Sequence, residues 1–263
     1  MTINNMYLRS LPLLALSGLL SLGLAGCVSR GDVEAMSADE FAKMRTEIPV
    51  TRNASQRAYV ICVVNKIAAE LPPPYDGVEW DVEVFDQESV NAFAMAGGKI
   101  GVFTGIFKVA EDQDQLAAVI GHEIAHVTED HTIERINRAQ MTGGAIAATS
   151  IIVGDQTGLG QQNTQTILEG AAQFGLLMPF GRGQESEADL VGLDYMAAAG
   201  FDPRASVQLW KNMAAENGGA PPEFLSTHPS PDTRTSDLIR QMPEALVLYN
   251  EAVAKGKTPR CGW

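Results

Sequence analysis

The segment His122-Glu123-Ile124-Ala125-His126 sets two imidazoles four positions apart. On a helix that spacing is a rotation of about 40 degrees, so both rings reach one ion from one face. Neutral imidazole nitrogens suit zinc, and a third protein ligand leaves a fourth position for water. Glu123, offset beside the pair, is placed to take that water's proton and pass it to a departing amine. The chemistry that such a site performs is hydrolysis of a peptide bond, with one zinc ion per chain.

A second cluster, Arg182-Gly183-Gln184-Glu185-Ser186-Glu187-Ala188-Asp189, supplies carboxylates farther along the chain. Glu185 and Asp189 share a helix face at i and i+4, whereas Glu187 points about 200 degrees away from Glu185. Spacing alone leaves Glu185 and Glu187 open as third ligand, and Asp189 sides with Glu185 because a nearby carboxylate orients a ligand imidazole through its other nitrogen. Arg234, permanently charged, either holds a developing oxyanion or braces the groove through a carboxylate. Helical extrapolation turns His131 about 140 degrees from His126, which gives it a structural place. His228 stands between Thr227 and Pro229 in a segment that Pro229 and Pro231 stiffen.

These side chains need helices to carry them. Apolar residues at Leu116, Val119, Ile120, Ile124 and Val127 recur at helical spacing behind Asp112 or Asp114 as a cap. The same periodicity predicts helices over 53–71, 164–178, 185–199 and 232–254, with Gly200 closing the third of these and Pro203 opening another. Trp80, Val82 and Val84 alternate with acidic residues as in a half-buried strand, and two further strands flank Gly97-Gly98. The expected fold is α+β and mostly helical, with a small sheet. Lys99–Thr104 is expected as its edge strand beside the metal helix, binding an extended, unfolded peptide through its backbone. Asn91, Lys99, Ile100, Gly101 and Val102 are the expected substrate-binding residues.

Around this core the 263 residues divide into a leader (1–26), a lipidated N-terminus and tether (27–50) and one catalytic domain (51–263). Arg9 precedes a Leu-rich run that is shorter than the roughly 20 residues of a membrane span. Its end, Leu24-Ala25-Gly26-Cys27, resembles the lipobox of bacterial lipoproteins, in which cleavage precedes the Cys and the Cys carries lipid. Val28 behind it, where Asp favours the inner membrane, directs the chain to the outer membrane, facing the periplasm. Residues 29–49, polar with few anchors, read as a tether. Gly154–Gln165 reads as a mobile excursion. In an oxidising compartment Cys62 and Cys261 are a disulfide pair or two free thiols. The formal charge of -13 argues against nucleic acid as a partner.

The two motifs together resemble the M48 zinc metallopeptidases, whose hallmarks are His-Glu-x-x-His and a downstream Glu-x-x-Ala-Asp. The likeness covers roughly residues 55–245 and takes in Asn91-Ala92-Phe93-Ala94, Gly97-Gly98, Thr227-His228-Pro229 and Arg234. It implies a zincin-type (gluzincin) domain with Glu185 as third zinc ligand and Asp189 as its companion. It also implies that His228 faces the active site, where it either stabilises the oxyanion or takes the water position as a self-inhibiting ligand. The soluble lipoprotein branch and the related mitochondrial quality-control peptidase are the nearer likeness, which implies unfolded or misassembled envelope proteins as substrates. The alternative is an outer-membrane assembly chaperone with a latent zinc site. Ala96, where the family usually has Pro, and Gly181, where it usually has Ser, depart from the pattern without touching a proposed ligand.

Overall fold

Ser29 and Asp32 cap each other's backbone reciprocally and start helix α1 (Arg30–Glu47). The computed structural model of the chain describes residues 28–138, 180–216, 223–229 and 233–262. The leader, Cys27, the Gly-rich stretch and the helix expected over 164–178 lie outside the described residues. Residues 30–47 are therefore helix where a tether is expected from sequence, and they pack on the body. The physical reason is a sparse apolar stripe: Val33, Ser37 and Phe41, at i, i+4 and i+8, are the buried residues of a helix that is otherwise polar. Val33 meets Ala96 and Ile136, and Phe41 meets Phe85, Met95 and Phe103.

Helix α2 (Ala54–Ala68) follows, capped by Asn53 and buried through Val60, Val63, Val64 and Ile67. Strands β1 (Asp81–Phe85), β2 (Ala92–Met95) and β3 (Lys99–Phe103) form a sheet of order β1-β3-β2. Gly97 and Gly98, at φ +74° and +71°, make the turn between β2 and β3, a backbone region that side chains disfavour. β2 is antiparallel to β3, and β1 is parallel to it. One face, including Val82, Val84, Ala92, Ala94, Ile100 and Val102, joins the core with α2 and the metal helix, while Phe85, Phe93, Met95 and Phe103 turn toward α1.

This order corrects the expected edge strand. β3 lies in the middle, with both backbone edges paired, so Lys99, Ile100, Gly101 and Val102 cannot bind a peptide by strand addition. Ile100 and Val102 are fully buried, and the ring of Phe93 lies across Gly101. Burial of β1 on both faces let it pair with the outer side of β3, which alternation alone does not reveal. The edge beside the metal helix belongs to β2.

After a 3₁₀ turn (Thr104–Lys108), Asp112 caps helix α3 (Gln113–Thr128), with Asp114 and Gln115 donating backbone N–H groups to its side chain. Residues 131–138 are helical. Helices α4 (Arg182–Ala198), α5 (Ala205–Ala215), α6 (Glu223–Thr227) and α7 (Arg234–Ala254) complete the order. α3 and α4 cross backbone to backbone: a Cβ on Gly121 would stand 2.6 Å from the carbonyl oxygen of Gly192, and one on Gly192 would stand 2.6 Å from the amide nitrogen of His122. Cys62 of α2 and Cys261 of the tail are joined as a disulfide, and the Cys261 amide donates to Gln113 at the head of α3.

Candidate metal centre

The close crossing of α3 and α4 brings the two sequence clusters together. Within it, Nε2 of His122 and Nε2 of His126 lie 3.1 Å apart, and the Glu185 carboxylate reaches His126 at 3.3 Å and His122 at 3.5 Å. All three residues are buried. Ligand atoms of His122, His126, Glu185 and His228 fall within 4.8 Å of one another. Oε1 of Glu185, Oε1 of Glu123 and Nε2 of His228 are buried and make no well-aligned hydrogen bond among the described residues. Two imidazoles and a carboxylate, with these atoms aimed at one point, are a donor set that fits a divalent metal ion.

Each ligand has its own support. Nδ1 of His122 lies 2.9 Å from Oδ1 of Asp189, whose Oδ2 accepts from Nε of Arg234 at 2.6 Å. Nη2 of the same guanidinium donates to Oε2 of Glu185 at 2.7 Å, and the group lies 3.9 Å from the Trp210 ring centroid. Arg234 thus braces Glu185 and Asp189, the second of its two expected roles, while its Nη1 is buried and makes no hydrogen bond among the described residues. His126 stacks on Phe180 with centroids 3.7 Å apart, and the Arg135 guanidinium lies 3.4 Å from the other ring centre.

Glu123 is held differently. Its Oε2 accepts the Ala94 amide of β2 at 3.2 Å, and its Oε1 faces Nε2 of His228 at 3.4 Å. Nδ1 of His228 lies 2.9 Å from Oγ1 of Thr227 and 3.2 Å from the Phe224 carbonyl, and its Nε2 turns toward the ligand cluster. Burial, with help from His122 and Arg234, pushes His228 down to about 3 and keeps it neutral. Burial raises Glu123 to about 8. For His122 burial works against protonation, yet the hydrogen bonds that it donates to Asp189 and Glu185 carry it up to about 9. Burial holds His126 well below the ordinary histidine value. Burial opposes charge on Glu185 too, but His122 and His126 keep it far below the carboxylate range.

The sequence that carries this arrangement has known relatives. Residues 54–241 match the profile of peptidase family M48. The chain belongs to that family. It is 37% identical over 172 residues to the mitochondrial metalloendopeptidase OMA1 of Schizosaccharomyces pombe, covering 65% of this chain and 49% of the relative. It is 35% identical over 185 residues to the Arabidopsis thaliana OMA1, covering 70% of this chain and 36% of that protein. It is also 27% identical over 220 residues to the beta-barrel assembly-enhancing protease of Yersinia pestis, covering 81% and 44% respectively. The chain spans about half the length of these relatives, or less.

Sequence reasoning placed His122, Glu123, His126, Glu185, Asp189, Arg234 and His228 in one cluster, where the M48 fold brings them. It set His131 aside wrongly. Helix α3 stops at Thr128, and Asp130, at φ 56°, turns the chain back, so Nδ1 of His131 lies 2.9 Å from Nδ1 of His126. A helical projection fails where the helix has ended. Glu187 does face away from the ligand point, as its spacing requires, and contacts His131 instead. Asn91 precedes β2 with its carbonyl bonded to the Phe103 amide, so its backbone is committed to β3. Gly121 and Gly192 were missed, although glycine inside two helical patterns signals a close backbone approach.

Proposed function

We propose that the chain is a zinc-dependent endopeptidase that cleaves unfolded or misassembled cell-envelope proteins from a lipid anchor at Cys27. The observation that carries the reading is the convergence of His122, His126 and Glu185 from two helices with Glu123 beside them. His122, His126 and Glu185 would hold the zinc ion, which when bound supplies Lewis-acid chemistry and acidifies water. Glu123 then acts as general base and acid: Ala94 fixes Oε2, which leaves Oε1 to take a proton from the attacking water and give it to the departing amine.

Among the described residues the outer edge of β2 pairs with no strand, and it supplies a place for substrate. Antiparallel pairing alternates, and because the Asn91 carbonyl bonds to Phe103, Ala92 turns both backbone groups outward and Ala94 its carbonyl, its amide being held by Glu123. An extended peptide added there runs past Glu123 with little side-chain selection, which favours unfolded chains. The names of the bacterial relatives, beta-barrel assembly-enhancing proteases, support envelope substrates. Among the described residues no helix is long and apolar enough to cross a membrane.

With its proton on Nδ1, toward Thr227 and the Phe224 carbonyl, His228 acts through Nε2 as a resting, self-inhibiting ligand; a proton on Nε2 would instead make it the oxyanion donor. A resting ligand of this kind would also suit the chaperone alternative. Two variants test the reading together. Glu123→Gln should keep its zinc by metal analysis and lose casein hydrolysis by about 10²-fold or more. His228→Ala should raise hydrolysis. Zinc-free wild-type protein, or full activity in Glu123→Gln, would falsify the assignment.

A further inference from the structure

His126 has a second partner that the family motifs do not name. Its Nε2 faces Glu185 and its Nδ1 lies 2.9 Å from Nδ1 of His131, while Nε2 of His131 lies 3.3 Å from Oε2 of Glu187. His131 is 1% exposed, and the Glu187 side chain is 56% exposed. Two ring nitrogens at this distance share one proton, so one donates and the other accepts. A metal on Nε2 of His126 fixes which: the neutral ring must then carry its proton on Nδ1. That N–H donates to Nδ1 of His131, whose own proton therefore sits on Nε2 and points at the Glu187 carboxylate. The tautomers of both rings follow from one end of the chain to the other.

The backbone is built to hold this geometry. The left-handed Asp130 turns His131 back beneath the metal helix, and Tyr75 and Arg30 hold Asp130 through hydrogen bonds to its carboxylate. Gln184 of α4 donates to the Glu134 carboxylate at 2.9 Å, tying the helical stretch that follows His131 to the helix that carries Glu187. Phe180, stacked on His126 with ring centroids 3.7 Å apart, holds the plane of that ring.

We infer that His131 and Glu187 form a positioning relay for the metal ligand His126, orienting its ring and raising its basicity as Asp189 does for His122. The inference rests on the metal-centre reading of the proposed function. Glu187, which contacts His131 rather than the ligand cluster, thereby has a part in metal binding through His131.

Zinc affinity of the mature chain, measured by competition with a fluorescent chelator, tests the relay without reference to activity. His131→Leu should bind about 10- to 100-fold more weakly than wild type. It should also shift the visible absorption of the Co²⁺-loaded protein. His131→Asn, whose amide oxygen can replace the accepting Nδ1, should recover most of the affinity. Glu187→Ala should fall between His131→Leu and wild type. Wild-type affinity in His131→Leu, or no recovery in His131→Asn, overturns the relay. If His131→Leu does not fold by circular dichroism, Glu187→Ala decides, and its binding zinc as wild type does overturns the relay. Should wild-type chain itself take up no zinc, the metal centre falls and the relay with it, a result distinct from the others.

Discussion

His122 and His126 stand four residues apart on one helix, yet the protein secures them by different means. Behind His122 lies a buried, charged lattice: Asp189, Glu185 and Arg234, backed by Trp210, none of the three more than 6% exposed. Behind His126 lie an aromatic stack and a second imidazole, with a half-exposed carboxylate at the far end. The contrast follows from where each ring sits. His122 packs at the α3–α4–α7 junction, where charge must be matched because water cannot reach it. His126 lies near the end of α3, where the chain reverses toward solvent. One half of the site is thus fixed by electrostatics and the other by shape.

The sharpest way to break the contrast is at Arg234. Arg234→Met removes the guanidinium from two buried carboxylates, leaving His122 alone to balance them, and should cost about 3–5 kcal/mol, read as a lowered denaturation midpoint of the metal-free chain. Next is Gly192→Ala, whose methyl would overlap the His122 backbone; forcing the helices apart should cost about 1–3 kcal/mol and weaken zinc binding at both histidines together. If only one histidine's contribution changed, the two halves would be more independent than the crossing implies.

The pH dependence of zinc binding isolates the charged half. His122, raised from 6.5 to about 9, is protonated in the metal-free chain at neutral pH and must lose that proton to bind. Apparent affinity should therefore climb about tenfold per pH unit through neutrality and level off once pH passes the raised value. The same shift acts oppositely on metal-free stability: its contribution is complete below the unfolded value and disappears as pH rises through the folded one. A flat affinity between pH 6 and 8 would sink this account. The smallest effect is expected at Glu187, where Glu187→Ala should change metal-free stability by less than about 0.5 kcal/mol, since the group is largely solvated.

The chemistry was more legible than its setting. His-Glu-x-x-His and Glu185 with Asp189 announce themselves because helical spacing converts directly into a shared face, and amphipathic α2, α3, α4 and α7 follow from the same rule. Helix α1 was hidden because only Val33 and Phe41 anchor it hydrophobically, too few for a periodic signal. Strand order was hidden because β1 and β3 are buried on both faces, so alternation does not say which edge is paired. His131 was hidden because its place depends on one left-handed residue, Asp130, and an Asp adopts that conformation without announcing it.

The bond between Cys62 and Cys261, 199 positions apart, closes a covalent ring that contains His122, Glu123, His126, Glu185 and His228 and both motifs. A single proteolytic nick inside this ring would release no fragment. The nicked enzyme would migrate as one species on a non-reducing gel and split in two only after thiol is added, so damage to the polypeptide would not by itself scatter the catalytic machinery.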